Sequence, residues 1–518
     1  MTHPSSESDY KPSGSNDIEQ KYNDVDGESN HELELRQIPS DAPGMPAVIE
    51  NEHVDVPPDG GYGWVCVAAG FMINACTWGV NSSYGVYLAH YLHENVYPGA
   101  TPLMYAFIGG LSISSSMIIG PLATLCLRKT STRTVMMAGV LMETGALIAA
   151  SFSKQIWHLF LTQGVFFGIG MGFLFTGSVG VISQWFAKKR SVATGITAAG
   201  SGIGGLIFSL SIRHIITTMG TPWAFRIVAV AIFVNNSICT YFTRDRNKFV
   251  NPNQRAFDLA ILRRYEFLLT VAWGFFSMLG YVVILFSLPV DTRKKWQLTS
   301  PRLPDFATSR GFSKVQGSVL GALLNLSMAF GRPLVGLSSD YYGRLNVSGL
   351  MTLITGISCF AIWLPAKTFG VAIFFSLVNG AVCGTFWTTI APVCVEVVGL
   401  KDLPSALSLM WLSVVLPTTF SEPIGLLLRR PDMENQYLYP QIFSGVMYLA
   451  AAGCVYLLRA WKVGDNDRRE KEEEEKREAA RGDKEDFQAP AEVQQERPRP
   501  FEKWRGKEVS RWFRYGVV

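Results

Sequence analysis

Twelve stretches of mostly apolar residues, separated by short polar segments, run through the middle of the chain. They lie approximately at 64–89, 103–127, 134–153, 156–185, 191–212, 222–243, 265–289, 315–339, 346–364, 368–395, 404–428 and 437–459. A helix that crosses the hydrocarbon layer of a bilayer needs about 20 apolar residues, and each stretch is near that length. The pattern predicts an all-α integral membrane protein with twelve membrane-spanning helices, hereafter spans 1 to 12.

One of these apolar stretches contains a single charged side chain. Between Val315 and Ser339 the only ionisable residue is Arg332. A guanidinium deep in a bilayer costs about 2.5–3.5 kcal/mol on insertion scales, so such an arginine normally faces a polar cavity. A snorkelling or helix-pairing arginine is the alternative interpretation. Pro333 follows directly and removes a backbone hydrogen bond, which predisposes this helix to kink.

Other polar side chains also fall inside the predicted spans. Asn325 lies two helical turns before Arg332 on the same face, and Asn81 lies in span 1. These neutral hydrogen-bonding residues join Arg332 as predicted substrate-binding residues. The acidic residues inside the membrane are candidate proton sites, with interfacial or helix-pairing roles as the equal alternative. They are Glu422, Glu396 and Glu143.

A polar turn with the spacing G-x-x-x-D-x-x-G-R ends span 8. Its four matching residues are Gly336, Asp340, Gly343 and Arg344. An aspartate here can sit against the N-terminus of a neighbouring helix or pair with an arginine, and either contact would favour one packing of two helix bundles over another. An ordinary polar turn is the alternative. We predict that these four residues gate a conformational change.

Polar tails flank the apolar region. Residues 1–61 hold fourteen acidic and three basic residues with few large apolar side chains, a composition typical of disorder. Residues 462–518 hold fifteen acidic and fifteen basic residues, and the Glu-rich run at 468–481 could form a charged surface helix but is too polar to bury. We predict that both segments are cytoplasmic tails.

Basic residues concentrate in alternate loops of the first half of the chain. The loops after spans 2, 4 and 6 carry twelve lysines and arginines, whereas the loops between them carry three. Because basic loops favour the cytoplasmic side, both termini are predicted to be cytoplasmic. The basic segment 244–264 is predicted to link a six-helix bundle at 62–243 to a second one at 265–461.

One predicted external loop breaks this charge rule. The segment 291–314 carries six basic residues. Removal of residues 290–304 would leave a shorter loop of milder charge, and the codon of Val290 begins with GT, as an intron does. We therefore hypothesise that residues 290–304 come from an intron retained in the gene model.

Two further motifs lie at the starts of spans 1 and 5. They comprise Asp59, Gly60, Gly61 and Trp64 at the first site, and Lys189, Arg190, Gly195 and Gly200 at the second. An aspartate can cap a helix, an aromatic side chain suits the headgroup zone, and glycines allow close helix packing. Together these motifs resemble the signatures of the monocarboxylate porter branch of the major facilitator superfamily, most closely its fungal members. The turn at 336–344 resembles the loop signature of the same superfamily, and the resemblance covers nearly all of residues 57–461.

The resemblance implies a twelve-helix fold of two six-helix bundles around a central cavity. It also implies a secondary transporter of small organic anions, moved with or without protons across the plasma membrane. Export of a secondary metabolite is the alternative, and a non-transporting nutrient sensor is a third possibility. The lipid bilayer and a small solute are the expected partners. No enzyme activity, Walker A sequence, cofactor, metal site or nucleic-acid partner is indicated.

The sequence departs from the animal lactate-type members of that family at two positions. Those members carry an aspartate four residues before the arginine of helix 8 and a lysine on helix 1, where this chain has Met328 and Ser82. Ser82 is therefore assigned to the predicted substrate site. Arg332 has no carboxylate on its own helix, so we expect it to pair with substrate or with Glu422 or Glu143. Any proton dependence should be weaker than in lactate-type porters or rest on a different carboxylate.

Overall fold

The computed structural model describes residues 57–94, 96–250, 257–287, 314–430, 432–433 and 435–486. Within these ranges, twelve helices are long and apolar enough to cross a membrane, which confirms the predicted number of spans. Their bounds are Gly63–Tyr91, Leu103–Lys129, Thr132–Ala150, Ile156–Trp185, Arg190–Met219, Thr221–Phe242, Tyr265–Leu285, Val319–Tyr342, Arg344–Trp363, Phe369–Val398, Leu403–Leu428 and Leu438–Lys476. Residues 290–304, on which the intron hypothesis depends, lie outside the described residues.

Two spans extend further than their apolar residues indicated. Span 5 reaches Met219, whereas the apolar pattern ended at residue 212. Span 12 belongs to a helix that runs from Leu438 to Asp486 and includes the charged run at 468–481. Glu, Lys and Arg are good helix formers, so a helix can continue past the point where its residues stop being apolar. The predicted charged helix is thus a continuation of span 12.

Several spans are interrupted inside the membrane-spanning region. Span 1 is built from three helices and spans 2, 10 and 11 from two each. Their bounds are Gly63–Cys76, Trp78–Ser82, Tyr84–Glu94, Pro102–Ile118, Gly120–Lys129, Phe369–Val382, Thr385–Val398, Leu403–Ser413 and Val415–Leu428. Spans 4 and 9 contain π-helical turns at Phe160–Phe166 and Cys359–Trp363. Irregular backbone at membrane depth is tolerated where it is buried in protein or lines a cavity, and π turns often mark functional sites.

The remaining helices are regular or short. Spans 7 and 8 belong to the helices Tyr265–Ser287 and Lys314–Tyr342. Two one-turn helices, Asn247–Val250 and Leu259–Leu262, lie between spans 6 and 7. No strand occurs in the described part of the chain.

Close packing inside the first six spans depends on glycines. A Cβ atom added at Gly200 or Gly204 of span 5 would collide with the backbone of span 1, at Phe71 and Ala75 respectively. Gly168 of span 4 lies in the same way against Ser112 of span 2. The small-residue faces predicted from the sequence therefore bring helix backbones together, as in other membrane proteins.

The first six and last six spans form two bundles that meet along two pairs of helices. Span 5 packs on span 8, and span 2 packs on span 11. Gly202 makes the first contact close, because its Cβ position lies 2.6 Å from the carbonyl oxygen of Asn325. Gly110 makes the contact between spans 2 and 11 close, because its Cβ position lies 3.1 Å from the carbonyl oxygen of Thr419. Large apolar side chains such as Leu141, Val230, Phe330 and Leu427 are exposed on the outside, where lipid would cover them.

The two ends of the bundles differ in charge. We call the end that carries Lys129, Lys188 and Gly343 the basic face, and the other end the opposite face. Spans 5 and 9 begin at the basic face, and spans 2 and 8 end there. The bounds predicted for the two bundles and their linker, and the cytoplasmic location of the basic face, stay predictions.

Candidate functional site

A cavity lies between the two bundles, close to the breaks in spans 1, 10 and 11. All four predicted substrate-binding residues line it, namely Arg332, Asn325, Asn81 and Ser82. Its volume is about 60 Å³, and a water molecule needs at least 10–15 Å³ on this measure. The cavity therefore has room for a few water molecules and must widen to admit an organic solute.

Arg332 is almost completely buried and reaches across the boundary between the bundles. Its Nη1 donates to the carbonyl oxygen of Ala198, at 2.7 Å, and to the hydroxyl of Ser201, both in span 5. Its Nη2 lies 3.4 Å from the hydroxyl of Tyr281 in span 7. The Nε–H has no hydrogen-bond partner among the described residues. The guanidinium is thus held by neutral groups on both bundles.

No carboxylate of the described residues lies within 4.0 Å of the Arg332 guanidinium. Met328 occupies the position one turn before it, with the thioether sulfur 3.9 Å from Nη2. Of the two pairings expected from the sequence, with substrate or with Glu422 or Glu143, the pairing with these carboxylates does not occur in this structure, and the pairing with substrate stays a prediction.

Two glycines make room for Arg332. A Cβ atom at Gly195 of span 5 would lie 2.5 Å from the carbonyl oxygen of Arg332, so a larger residue would push span 8 away. A Cβ atom at Gly384 would lie 2.8 Å from its Nε. Gly384 falls at the break between the two helices of span 10. Gly195, one of the motif residues identified in the sequence, therefore allows span 5 to approach span 8 closely at Arg332.

The three neutral residues predicted to bind substrate occupy two different parts of the cavity wall. Ser82 and Asn325 both approach Gly205 of span 5, which brings the side chains of spans 1 and 8 together. Asn81 points elsewhere, because its Oδ1 accepts a hydrogen bond of 2.6 Å from the hydroxyl of Ser112 in span 2. Ser82 and Asn325 thus form one polar corner of the cavity, and Asn81 ties span 1 to span 2.

An aromatic cluster closes the cavity toward the basic face. Trp78, Phe175 and Trp387 line the cavity, and Trp411 lies behind them. Ring centroids are 5.3 Å apart for Trp78 and Phe175, 5.1 Å for Trp78 and Trp387, and 6.0 Å for Trp387 and Trp411. Neither this cluster nor the role of Ser201 and Tyr281 as partners of Arg332 is predictable from the sequence. Their residues come from separate spans, and nothing local in the sequence marks them.

The predicted gating turn lies at the basic face and joins the bundles. Asp340 accepts hydrogen bonds from the backbone N–H groups of Ser191, at 3.0 Å, and Val192, at 2.8 Å, in the first turn of span 5. Gly336 allows this approach, since its Cβ position lies 2.9 Å from the Cα of Val192. Gly343 has φ of +96° and begins the turn into span 9.

Arg344 makes the second contact between the bundles at this face. Its Nη2 donates to the carbonyl oxygen of Ala187, at 2.6 Å, and its Nη1 lies 3.2 Å from Oε1 of Glu396. Its Nε lies 3.6 Å from Oδ1 of Asp340. Glu396 is therefore part of this ion-pair group and lies away from the central cavity.

The two family motifs meet at the same turn. Oδ1 of Asp59 accepts from the backbone N–H groups of Ala187, Lys188 and Lys189, at 2.8, 2.8 and 3.2 Å. Asp59 has φ of +53°, a conformation that aspartate tolerates better than most residues. The other motif residues surround this contact. Gly60 and Gly61 form the turn after Asp59, Trp64 packs on Phe186, Lys189 is exposed, Arg190 is buried and donates to the Phe186 carbonyl, and Gly200 packs on span 1.

The other two candidate proton sites lie in different places. Glu143 is buried between spans 3 and 6, where its Oε2 accepts a hydrogen bond of 3.2 Å from Asn236. Glu422 lies one turn beyond the cavity residue Thr418, toward the opposite face. Its Oε2 is buried without a hydrogen-bond partner among the described residues. Of the three carboxylates, Glu422 is thus next to the cavity and at the junction of the bundles.

In the part of the chain that the structure describes, twelve helices long and apolar enough to cross a membrane form two bundles with a cavity at their junction. This architecture is typical of multi-pass solute transporters. The model of the Major Facilitator Superfamily matches residues 66–301 and 295–515. The chain belongs to this superfamily.

Similar proteins carry names that agree with transport. The probable transporter MCH2 of Saccharomyces cerevisiae is 36% identical over 79% of this chain and 85% of its own length. The uncharacterized transporter ESBP6 of the same yeast is 30% identical over 83% of this chain and 64% of its own length. The fujikurins efflux protein of Gibberella fujikuroi is 27% identical over 83% of this chain and 88% of its own length. The superfamily match and these names confirm the prediction that the chain is a transporter, and they do not identify its solute.

Proposed function

We propose that this protein is a secondary active transporter of small organic monoanions, of the monocarboxylate kind, and that it works by alternating access. The observation that carries the proposal is the buried guanidinium of Arg332, which lines the central cavity with no carboxylate of the described residues beside it. An arginine is well suited to such a role, because its planar donor fork matches a carboxylate in two parallel hydrogen bonds.

The position of Arg332 also supports alternating access. Its side chain belongs to span 8, and its partners Ala198 and Ser201 belong to the other bundle. An anion that binds the guanidinium would compete with these contacts and so alter the contact between the bundles. Rocking of two bundles around a midplane site is the usual transport motion of proteins with this architecture.

The monocarboxylate assignment rests on the motifs around Asp59 and Arg190, which the structure brings to one turn, and on the single charge in the cavity. We place the protein in the plasma membrane, with the basic face and both termini in the cytoplasm, because basic loops favour that side. We link any dependence of transport on protons to Glu422, which lies next to the cavity at the junction of the bundles.

Efflux of a secondary metabolite is the second candidate function. It is favoured by the aromatic cluster of Trp78, Phe175 and Trp387, which offers a larger apolar surface than a short monocarboxylate needs. The relative from Gibberella fujikuroi is named as an efflux protein. Both functions use the same cavity and differ in the size of the solute and in the direction of flux.

Uptake of radiolabelled monocarboxylates into vesicles that hold the purified full-length chain tests the proposal. We expect Arg332→Gln to abolish uptake and Arg332→Lys to retain a small part of it. Arg226→Gln is the matched control, since Arg226 lies outside the cavity and packs on Phe152 and Trp223. Normal uptake in Arg332→Gln would refute the anion site, and no flux of any solute in the wild type would favour a sensor.

A further inference from the structure

Two buried N–H donors in the cavity wall have no hydrogen-bond partner among the residues that the structure describes. They are the indole Nε1–H of Trp78 and the guanidinium Nε–H of Arg332. A buried donor without a partner costs about 1–3 kcal/mol. No buried side-chain acceptor among the described residues of this wall lacks a partner. The unsatisfied groups of the cavity are therefore donors alone, and a ligand that satisfies them must supply acceptors.

Both donors border one short segment of span 10. The Cβ position of Gly384 lies 2.8 Å from Nε of Arg332, and the ring of Trp387, three residues later, lies 5.1 Å from the ring of Trp78. This segment includes the break between the helices Phe369–Val382 and Thr385–Val398. Trp78 itself begins a short helix that is separated from the rest of span 1. The two donors thus lie where span 1 and span 10 are both irregular.

We propose that Trp78 is a second anion-binding residue, whose indole N–H donates to one oxygen of a carboxylate while Arg332 Nε–H donates to the same group. This inference rests on the proposed function and adds to it a residue and a ligand class. In the present closed form both nitrogens are shielded. Widening of the cavity, which its small volume requires before any organic solute enters, would uncover them.

The rest of the wall defines the body of the ligand. Among the described residues that line the cavity, Arg332 alone carries a formal charge, and none is a carboxylate. A second negative charge on the ligand would therefore lie without a partner in a largely apolar site, which is costly. The rings of Phe175 and Trp387 supply flat apolar surface beside the two donors. The ligand class is thus a monocarboxylate with a compact apolar or aromatic body, and dicarboxylates are disfavoured.

Trp78→Phe tests the contribution of the indole N–H, because it removes that donor and keeps an aromatic ring in the cluster. Trp411→Phe is the matched control, since Trp411 also has a buried, unpaired Nε1–H and belongs to the same cluster but does not line the cavity. Initial uptake rates would be measured in vesicles with radiolabelled acetate, pyruvate, hexanoate and phenylacetate, using whichever the wild type transports fastest. Succinate would be added as the competing dianion.

We expect Trp78→Phe to raise KM about 10- to 150-fold, as for one hydrogen bond to a charged group, with the maximal rate within about twofold of wild type. Trp78→His, which restores a ring N–H, should recover part of the affinity. Trp411→Phe should leave KM unchanged, and succinate should compete at least tenfold more weakly than the chosen monocarboxylate.

Three results would overturn the inference: an unchanged KM in Trp78→Phe, an equal rise in Trp411→Phe, or no recovery in Trp78→His. If Arg332→Gln abolishes uptake while Trp78→Phe keeps the wild-type KM, this inference alone fails. If Arg332→Gln transports normally, the proposed function fails as well. The amount of each variant in the vesicles is measured in parallel, so that loss of folded protein is not mistaken for loss of affinity.

Discussion

The carboxylate of Asp340 accepts a hydrogen bond of 3.0 Å from the backbone N–H of Ser191, which joins the end of span 8 to the start of span 5. The two residues belong to different bundles, and the contact lies at the basic face. A negative charge at a helix N-terminus is stabilising because the backbone N–H groups there are unpaired and the helix dipole is positive. The same contact must break if the basic face opens during transport.

Asp340→Asn and Arg344→Gln should therefore change the rate of transport more than the amount of protein. A carboxylate at a helix N-terminus contributes about 0.3–1 kcal/mol, so we expect a two- to fivefold change in maximal rate, with KM nearly constant. Uptake per molecule in vesicles measures this. Unchanged rates in both variants would remove the gating role of the turn.

Gly336 offers a steric test of the same contact. A Cβ atom at this position would meet the backbone of Ser191 and Val192, with the Cα of Val192 at 2.9 Å. Gly336→Ala should hold spans 5 and 8 apart and favour the form that is open at the basic face. Gly370→Ala is the control, because its Cβ would meet nothing within 4 Å. Accessibility of a cysteine placed at Ser191, which is buried in this contact, to a membrane-impermeant reagent should rise in the first variant only.

Glu422 is the residue on which we expect proton dependence to rest. Its Oε2 lies 3.8 Å from the Cβ position of Gly109 on span 2, next to Tyr84 of span 1. This oxygen has no hydrogen-bond partner among the described residues. An ionised carboxylate is costly in such a place, so closure of spans 2 and 11 around Glu422 should be accompanied by a proton. Tyr84 donates to the carbonyl oxygen of Tyr105 and does not compensate the charge.

Glu422→Gln should thus flatten the dependence of uptake on external pH while transport itself continues. Glu143→Gln is the matched control, since Glu143 is also a carboxylate inside a span but lies within the first bundle beside Asn236. The measurement is the initial rate between pH 5 and pH 8 in both variants. Strong pH dependence that survives in Glu422→Gln, or an equal loss of pH dependence in Glu143→Gln, would refute this assignment.

The sequence was sufficient for features that depend on one segment at a time. Twelve spans follow from the lengths of the apolar stretches, and Arg332 and Asp340 stand out because charge is rare beside such stretches. Features assembled from distant segments were not predictable. Trp78 becomes a candidate binding residue only when the fold places it in the wall of the cavity that Arg332 also lines. Glu396 belongs with Arg344 because spans 9 and 10 bring them together.

Asp59 provides the last prediction, because it holds the same turn as Asp340 but from within the first bundle. It accepts from three consecutive N–H groups, whereas Asp340 accepts from the two N–H groups of Ser191 and Val192. Asp59→Ala removes a cap worth about 0.5–2 kcal/mol and places alanine at a positive φ, so thermal stability should fall. Asp59→Asn keeps the acceptor and tolerates that φ, so it should be close to wild type.

The contrast between Asp59 and Asp340 separates stability from gating. Asp59→Ala should lower the melting temperature of the purified protein, with a smaller effect on uptake per folded molecule, since its contacts stay within one bundle in every conformation. Asp340→Asn should do the reverse, because its contacts exist only while the basic face is closed. Since both residues bind the segment that begins span 5, the double variant should depart from additivity. Equal effects of the two single variants on melting temperature and on rate would show that this turn is one structural unit with no separate gate.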